Sequence, residues 1–261
     1  MGSAIVARAR GAYDFLVFDN DPAKLPPAES GITPCQGIGD AVAGAGVIIL
    51  AVKPQDFEQA LSVIKYSIED KLVISIAAGI RTSYIESVIG KKRVVRVMPN
   101  LAVKVGMGMS CICKGAYANQ QDVRIVASLF NRMGKTLVID EKLMDAATAV
   151  SGSGPGFLLH QMIGKNINQA EIDARHGFEI ELKEAATQVG FTPQQALTLA
   201  AATTAGTIQL VKVTKEQPEA LRDKVTSKGG TTAAGLEVLK NDGTLADAVK
   251  AALARAKELS R

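Results

Sequence analysis

The chain alternates short apolar, β-branched runs with stretches of helical periodicity through its first half. Met1-Gly2-Ser3-Ala4-Ile5-Val6 reads as the opening of a helix, and residues 15–19 as the strand that follows it. Residues 47–52 are apolar at every position, as expected of a strand covered on both faces of a parallel sheet. Residues 72–76 and 94–98 repeat that character, and residues 107–113 and 136–139 read as later strands. Helical spacing fills the gaps at 56–68 and 120–133. This β-α alternation predicts an α/β fold, a Rossmann-type, doubly wound and mostly parallel sheet. In such a fold a strand and a Gly-x-Gly turn come before the first helix. Nothing precedes Met1 here, so the first strand is expected to be missing.

Beyond about residue 141 the strand-like runs stop and Ala-rich helical periodicity takes over, as at 193–211 and 245–259. The pattern predicts a dinucleotide-binding domain over 1–145 and an all-helical domain over 146–261.

Composition narrows the class. Aromatics are 4% and Trp is absent, so Ala, Val, Ile and Leu must build the core, and 24 glycines suit tight turns. The net charge of +4 is dispersed, with no basic stripe interleaved with aromatics, which argues against a nucleic-acid protein. Three cysteines are an odd number with no framework spacing, so no disulfide scaffold is expected. Cys111 and Cys113 share a strand face but lack the further ligands a metal needs. No apolar run reaches the ~20 residues of a membrane helix, and the start lacks the basic-then-apolar pattern of a secretory signal. The expectation is a soluble cytoplasmic enzyme.

Ligands of open α/β sheets bind beyond the carboxyl ends of strands. Ala51-Val52-Lys53-Pro54 lies at one such end, where Pro54 forces a turn and Lys53 is placed to meet ribose or phosphate oxygens. A plain strand terminus with an exposed lysine is the other reading. Met98-Pro99-Asn100 ends a second strand, and Asn100 offers groups that read a carboxamide or simply form a turn. Asp19 ends the strand at 15–19, where an acid bonds a ribose 2′-hydroxyl, although Asp21-Pro22 also suits a helix start. Ser151-Gly152-Ser153-Gly154-Pro155 reads as a phosphate cradle or, preferred, as a helix-entry turn with small residues for close packing and Pro155 beginning the helix. In the loop 226–232, Gly229-Gly230 lets amides face one concavity and Thr231-Thr232 start a helix. That suits an anion, with Ser227, Thr231 and Thr232 adding hydroxyls, or else a capped turn.

These four motifs, in this order and over nearly the whole chain, resemble the pyrroline-5-carboxylate reductase family. The resemblance implies hydride transfer from NADPH or NADH to the C=N carbon of 1-pyrroline-5-carboxylate, giving L-proline. It implies a cofactor held by Met1, Gly2, Asp19, Ala51, Val52, Lys53, Pro54, Met98, Pro99 and Asn100. It places the substrate carboxylate on Ser227, Gly229, Gly230, Thr231 and Thr232, with the Thr232 hydroxyl near the ring nitrogen as the catalytic contact. It also implies a homodimer, or a ring of dimers, in which Thr232 comes from the partner chain. No metal is implied.

Three departures stand out. The family's strand and Gly-rich turn before the segment matched by Met1-Gly2 are missing, Lys228 stands where the family has Pro, and residues 157–189 are longer by roughly 18. That excess is close to five helical turns, so a longer helix is one expectation. Gly164 and Gly177 favour a broken helix or an inserted loop. Two rivals are a related imine or β-hydroxyacid reductase, with Lys228 as a candidate general acid, and a non-catalytic dinucleotide-binding protein.

Overall fold

A computed structural model describes all 261 residues. Its elements in chain order are α1 (Gly2–Ala9), β1 (Phe15–Val17), β2 (Ile32–Pro34), α2 (Ile38–Gly44), β3 (Val47–Leu50), α3 (Phe57–Ile64), β4 (Leu72–Ser75), α4 (Thr82–Ile89) and β5 (Val94–Pro99). Then come β6 (Gly108–Lys114), α5 (Gln120–Asn131) and β7 (Gly134–Val138). The remainder is helical: α6 (Met144–Ala147), α7 (Gly154–Met162), α8 (Ile167–Asp173), α9 (Glu179–Gln188), α10 (Pro193–Thr214), α11 (Pro218–Val225), α12 (Thr231–Lys240) and α13 (Leu245–Leu259).

The strands form two sheets, a pair β1-β2 and a five-stranded sheet in the order β3-β4-β5-β6-β7. The β1-β2, β3-β4 and β4-β5 pairings are parallel, with Phe15 opposite Ile32, Val47 opposite Leu72 and Val73 opposite Val94. At β6 the direction reverses. Gly115 N donates to Val94 O at 2.8 Å and Asn100 N to Met109 O at 3.1 Å, which is the antiparallel pattern. The fold is therefore doubly wound and mostly parallel, as the alternation predicts. No ladder joins β1 to β3, and Leu16 and Val47 on those two edges are 37% and 38% exposed. The expectation of a fully covered strand over 47–52 is corrected here. The strand ends at Leu50, and β3 is an edge with β4 as its single partner.

The chain divides into two compact units. The first comprises residues 1–97, 112–133 and Arg261. Its core sits on both sides of β4, and Phe57, Leu61 and Ile64 show how α3 joins it: spacing of i, i+4, i+7 puts all three on one buried face. α5 begins with a capping box, in which Asn119 Oδ1 accepts from the amides of Gln121 and Asp122 and the Asp122 carboxylate accepts from Asn119 N. Asp122 is fully buried and also meets the Arg93 guanidinium at 2.7 Å, which supplies the partner a buried carboxylate requires.

The second unit comprises residues 98–111 and 134–260. Its longest helix, α10, starts with a capping box between Thr192 and Gln195. By length and composition alone these 22 residues resemble a membrane span, contrary to the sequence reading, but half of the apolar window is buried within the protein. Leu199, Ala200, Ile208 and Leu210 lie on the buried side. Gly206 lets α10 approach the 3₁₀ turn Leu101–Val105: a Cβ there would drive into the Met107 carbonyl and the Ala102 methyl. Of the options open for the long stretch 157–189, the broken helix is the one observed. α7 ends at Met162, Gly164 turns the chain at φ +72°, and Asn166 caps α8 by accepting from Asn168 N. A π-turn at Ala174–Phe178 then leads into α9.

The α10 contact generates a prediction. Gly206→Ala forces a methyl against a backbone carbonyl that has no room to retreat, so overpacking should cost about 1–3 kcal/mol. Urea unfolding followed by circular dichroism should show a lower midpoint, and an unchanged midpoint would contradict the close approach.

Candidate functional site

In the first unit the start of α1 lies beside the carboxyl end of β3. Gly2 is so close that a Cβ on it would sit 3.2 Å from the Ala51 Cβ. Met1 caps α1 only through its backbone, its carbonyl accepting from Ala4 N at 3.0 Å, and no side chain fills the helix end. A helix N-terminus left this way favours an anion. Val52 and the exposed Lys53 continue from Ala51, and Pro54 opens a 3₁₀ turn over Pro54–Asp56 whose carbonyl end is tied to Arg261, with Nη2 donating to Pro54 O at 2.7 Å.

Asp19 and Asp21 divide the two readings between them. Asp21 caps the turn Pro22–Lys24, accepting from Ala23 N at 3.1 Å and pairing with Lys24 at 3.0 Å. That Lys24 partner, with the Ala23 amide, holds the Asp21 carboxyl below its usual value. Asp19 is exposed just past β1 and accepts from Asp21 N through Oδ1 at 2.9 Å. The helix-start chemistry at Asp21 thus coexists with an acid free to reach outward.

In the second unit Met98, Pro99 and Asn100 close β5. Asn100 is 2% exposed, and its Oδ1 accepts from Ala102 N at 3.2 Å and Met109 N at 3.1 Å. Its Nδ2 is buried without a partner. The carbonyl half shapes the turn, and the amide half keeps an unused donor. Met98 packs its Sδ-methyl over Gly152, where a Cβ would come within 2.8 Å.

The loop from Thr226 to Gly230 joins α11 to α12. Thr226 Oγ1 donates to Arg222 O at 2.7 Å, and Gly230 N donates to Ser227 O at 3.0 Å, closing a tight turn. Gly229 sits at φ +68°, a conformation glycine adopts without strain. A Cβ on Gly230 would strike the Ser227 hydroxyl. Gly230 is also the N-cap of α12 and has no side chain to cap with. Because helical bonding begins with Ala234 N on Gly230 O, the amides of Thr231, Thr232 and Ala233 remain open toward the turn. Thr231 and Thr232 start the helix, as the sequence predicts.

The motif at 151–155 differs from the sequence reading. It is not a simple entry turn but the end of a π-turn, Thr148–Gly152, running straight into α7 with Pro155 in the first turn. Its Ser153 Oγ donates to Thr231 Oγ1 at 3.0 Å, and Gly156 lets the chain press against the Thr232 methyl. Ser153 is thus a site residue that sequence reasoning missed. The faint signal was a hydroxyl flanked by glycines at a helix start. Arg255 was missed too: it reaches from α13 to donate from Nε to Gly229 O at 2.7 Å, and nothing local in the sequence marks it.

Two titratable groups near these elements are held in unreactive forms. Burial pushes the Cys111 thiol up to about 12, partly offset by a hydrogen bond with Ser151. Burial, then the charges of Arg222 and Lys240, push His160 on α7 below its usual value, so it is neutral near pH 7.

An uncapped helix start beside the end of a parallel strand, joined in one chain to a Gly-Gly turn before an open helix start, is the layout of a dinucleotide-dependent oxidoreductase. Residues 1–79 match the family described as NADP oxidoreductase coenzyme F420-dependent, and residues 178–259 match pyrroline-5-carboxylate reductase dimerisation. Pyrroline-5-carboxylate reductase 1 of Bacillus subtilis (strain 168) is 37% identical over 219 residues, covering 82% of this chain and 68% of the relative. The Pisum sativum enzyme is 34% identical over 246 residues, covering 92% and 84%. The solved pyrroline-5-carboxylate reductase of Coxiella burnetii superposes over 100% of this chain and 95% of its own, with a TM-score of 0.66 at 28% identity. The Plasmodium falciparum pyrroline carboxylate reductase with NADP bound gives 0.61, with 28% identity and the same coverage. The chain belongs to the pyrroline-5-carboxylate reductase family.

Two expectations follow from this geometry. Ser153→Ala removes the bond that fixes Thr231 and should raise the substrate KM by roughly 3–10-fold, as one hydrogen bond warrants, with the fold intact by circular dichroism. Steady-state kinetics with KM unchanged would show that Thr231 is held by other means. At pH 8, with a thiol value of about 12, Cys111 is almost wholly protonated and should stay unlabelled by iodoacetamide in the native protein. Mass spectrometry showing native labelling of Cys111 would contradict its burial.

Proposed function

We propose that the protein reduces 1-pyrroline-5-carboxylate to L-proline, with NADPH or NADH as the hydride donor. The observation that carries this reading is the open start of α12: a Gly229-Gly230 turn, no side-chain cap, and amides with no acceptor inside the helix. A carboxylate completes that arrangement, accepting from backbone amides and from the hydroxyls of Ser227 and Thr231. Gly229, Gly230 and Thr232 supply the rest of the cradle. Thr232 is 4% exposed, with its methyl fixed against Gly156 and its hydroxyl the one polar atom of the side chain. That hydroxyl is the catalytic contact, placed to hydrogen-bond the ring nitrogen of the bound imine.

The residues fit a nicotinamide dinucleotide. Met1 and Gly2 offer the α1 start to its phosphates, Ala51, Val52, Lys53 and Pro54 flank that start, and Asp19 suits a ribose hydroxyl. Met98, Pro99 and Asn100 complete the binding residues, and the buried, unpartnered Asn100 Nδ2 is the donor a carboxamide oxygen needs. When bound, the cofactor supplies the hydride. The chain's own part is to hold the imine carboxylate, orient the ring and satisfy its nitrogen, because a protonated imine is already a strong electrophile.

The same reading assigns residues 1–145 to the cofactor and 146–261 to substrate and dimerisation. It makes the working species a homodimer, or a ring of dimers, in which the partner chain supplies Thr232. It places the protein in the cytoplasm, with no nucleic-acid or membrane partner.

The test is direct. The protein is mixed with 1-pyrroline-5-carboxylate and either NADPH or NADH, and absorbance at the nicotinamide band is followed. Oxidation dependent on the imine is expected, and its absence with both cofactors would overturn the reading. Thr232→Ala should lower kcat about tenfold, the value of one hydrogen bond of roughly 1.4 kcal/mol, while the cofactor Kd holds. Unchanged turnover would remove Thr232 from the mechanism.

A further inference from the structure

The substrate turn is held from behind by one side chain that has a hydrogen-bonding edge to spare. Arg255 stands on α13, and its Nε donates to the Gly229 carbonyl at 2.7 Å. Its Nη1 donates to the Glu258 carboxylate, one turn along the same helix, also at 2.7 Å. Nη2 takes part in neither contact. A guanidinium carries the Nε hydrogen and one Nη2 hydrogen side by side on one edge, spaced to meet two neighbouring acceptors. The first position on that edge is taken by Gly229 O. The second is used by neither contact and lies beside the turn: Nη2 is the nearest atom to where a Gly229 Cβ would be, at 3.6 Å.

A tether alone needs only the Nε contact, and it leaves unexplained why the rest of the edge points at the turn. The charge is not cancelled locally either. Glu258 is 63% exposed, and a pair so open to water neutralises little. Lys228, the other cation of the turn, is exposed on the loop itself and has no fork with which to bond two acceptors.

We propose that Arg255 is the charged arm of the carboxylate cradle: it positions the Gly229-Gly230 turn through Nε and receives one substrate carboxylate oxygen on Nη2. Arg255 thereby selects ring compounds bearing a carboxylate over neutral ones of the same shape. This inference rests on the reading of residues 226–232 as the substrate loop.

The test uses two probes that differ only in charge, L-proline and L-prolinamide, titrated into the wild-type protein, Arg255→Gln and Arg255→Lys by calorimetry. The wild type should prefer the carboxylate. In Arg255→Gln that preference should shrink by about tenfold or more, as expected for losing a charge-assisted hydrogen bond, with prolinamide weakened far less, through the lost hold on the turn alone. Arg255→Lys should recover only part of it, because an ammonium cannot keep Gly229 O and the carboxylate on one rigid edge. It also serves as the readout should Arg255→Gln fail to fold. In kinetics the same variants should raise the KM for 1-pyrroline-5-carboxylate far more than they lower kcat. Equal weakening of both probes would reduce Arg255 to a tether, and an unchanged preference would remove it from recognition; either result overturns the proposal. A wild type that shows Arg255-dependent carboxylate preference yet never oxidises NADPH or NADH with the imine supports the arm and overturns the reductase reading alone.

Discussion

The candidate site depends on backbone brought so close around the start of α12 that no Cβ fits. Gly230 lies against the Ser227 hydroxyl, Gly156 against the Thr232 methyl, and Gly235 against the Phe157 ring and the Ala248 carbonyl. Each contact fixes a different part of the cradle: the turn, the threonine and the helix that carries both. A methyl at any of them overpacks an interior that is already dense, at a cost of about 1–3 kcal/mol. The same absence of side chains leaves α12 with Gly230 as its N-cap, which relative to Ser, Thr, Asn or Asp forfeits about a few tenths of a kcal/mol. That loss is offset by the burial of Leu236 on α12 and of Val249 and Ala252 on α13, not by local satisfaction. The helix end is therefore stable while its amides stay open, and an anion is the natural group to close it.

The first unit repeats the device with a different ligand in view. α1 also starts without a side-chain cap, beside the end of β3, where Gly2 permits the approach to Ala51. Other helix starts, such as those of α2, α4 and α11, also lack a side-chain cap, whereas four are closed by the chain itself. α5 and α10 carry full capping boxes, and α8 and α13 take Asn166 and Thr244. The buried Asp122, bonded both to its own helix start and to Arg93, shows how thoroughly a polar group is satisfied where structure alone is at stake. Asn100 stands between the two cases. Its oxygen is committed to two backbone amides and its nitrogen to none.

How much of this the sequence shows depends on whether the deciding contact is local. The strands at 72–75 and 94–99 and the helix at 245–259 are written in their own apolar periods and are readable directly. β2 is only three residues and ends in Pro34, too short to carry a period. The exposure of Val47 follows from which strands β3 pairs with, a property of topology and not of residues 47–52. The segment 98–111 groups with the helical unit because Gly206 admits the turn at 101–105, a contact a hundred residues away along the chain that no local pattern encodes. The site divides in the same way. Gly229-Gly230-Thr231-Thr232 is legible because the turn and the helix start are adjacent in sequence. Ser153 joins it from 78 positions away and Arg255 from 26, and neither stands out from its own helix.

The chemistry these contacts allow is one of placement. Reducing a carbon–nitrogen double bond needs a hydride, a proton on nitrogen and a fixed angle of approach, and only the last is difficult for a protein to arrange. A strong nucleophile or a charged acid next to the imine would invite addition to it or compete for its carboxylate. Two side chains of the helical unit that could do so are held neutral: burial holds Cys111 as a neutral thiol, and burial with Arg222 and Lys240 holds His160 as a neutral imidazole. Around the turn are hydroxyls, amides and a guanidinium, which donate hydrogen bonds without attacking carbon, and the exposed Lys228 ammonium on the loop itself. The surplus of donors over acceptors there is itself selective, since a ligand must bring its own negative charge to leave none of them unpaired.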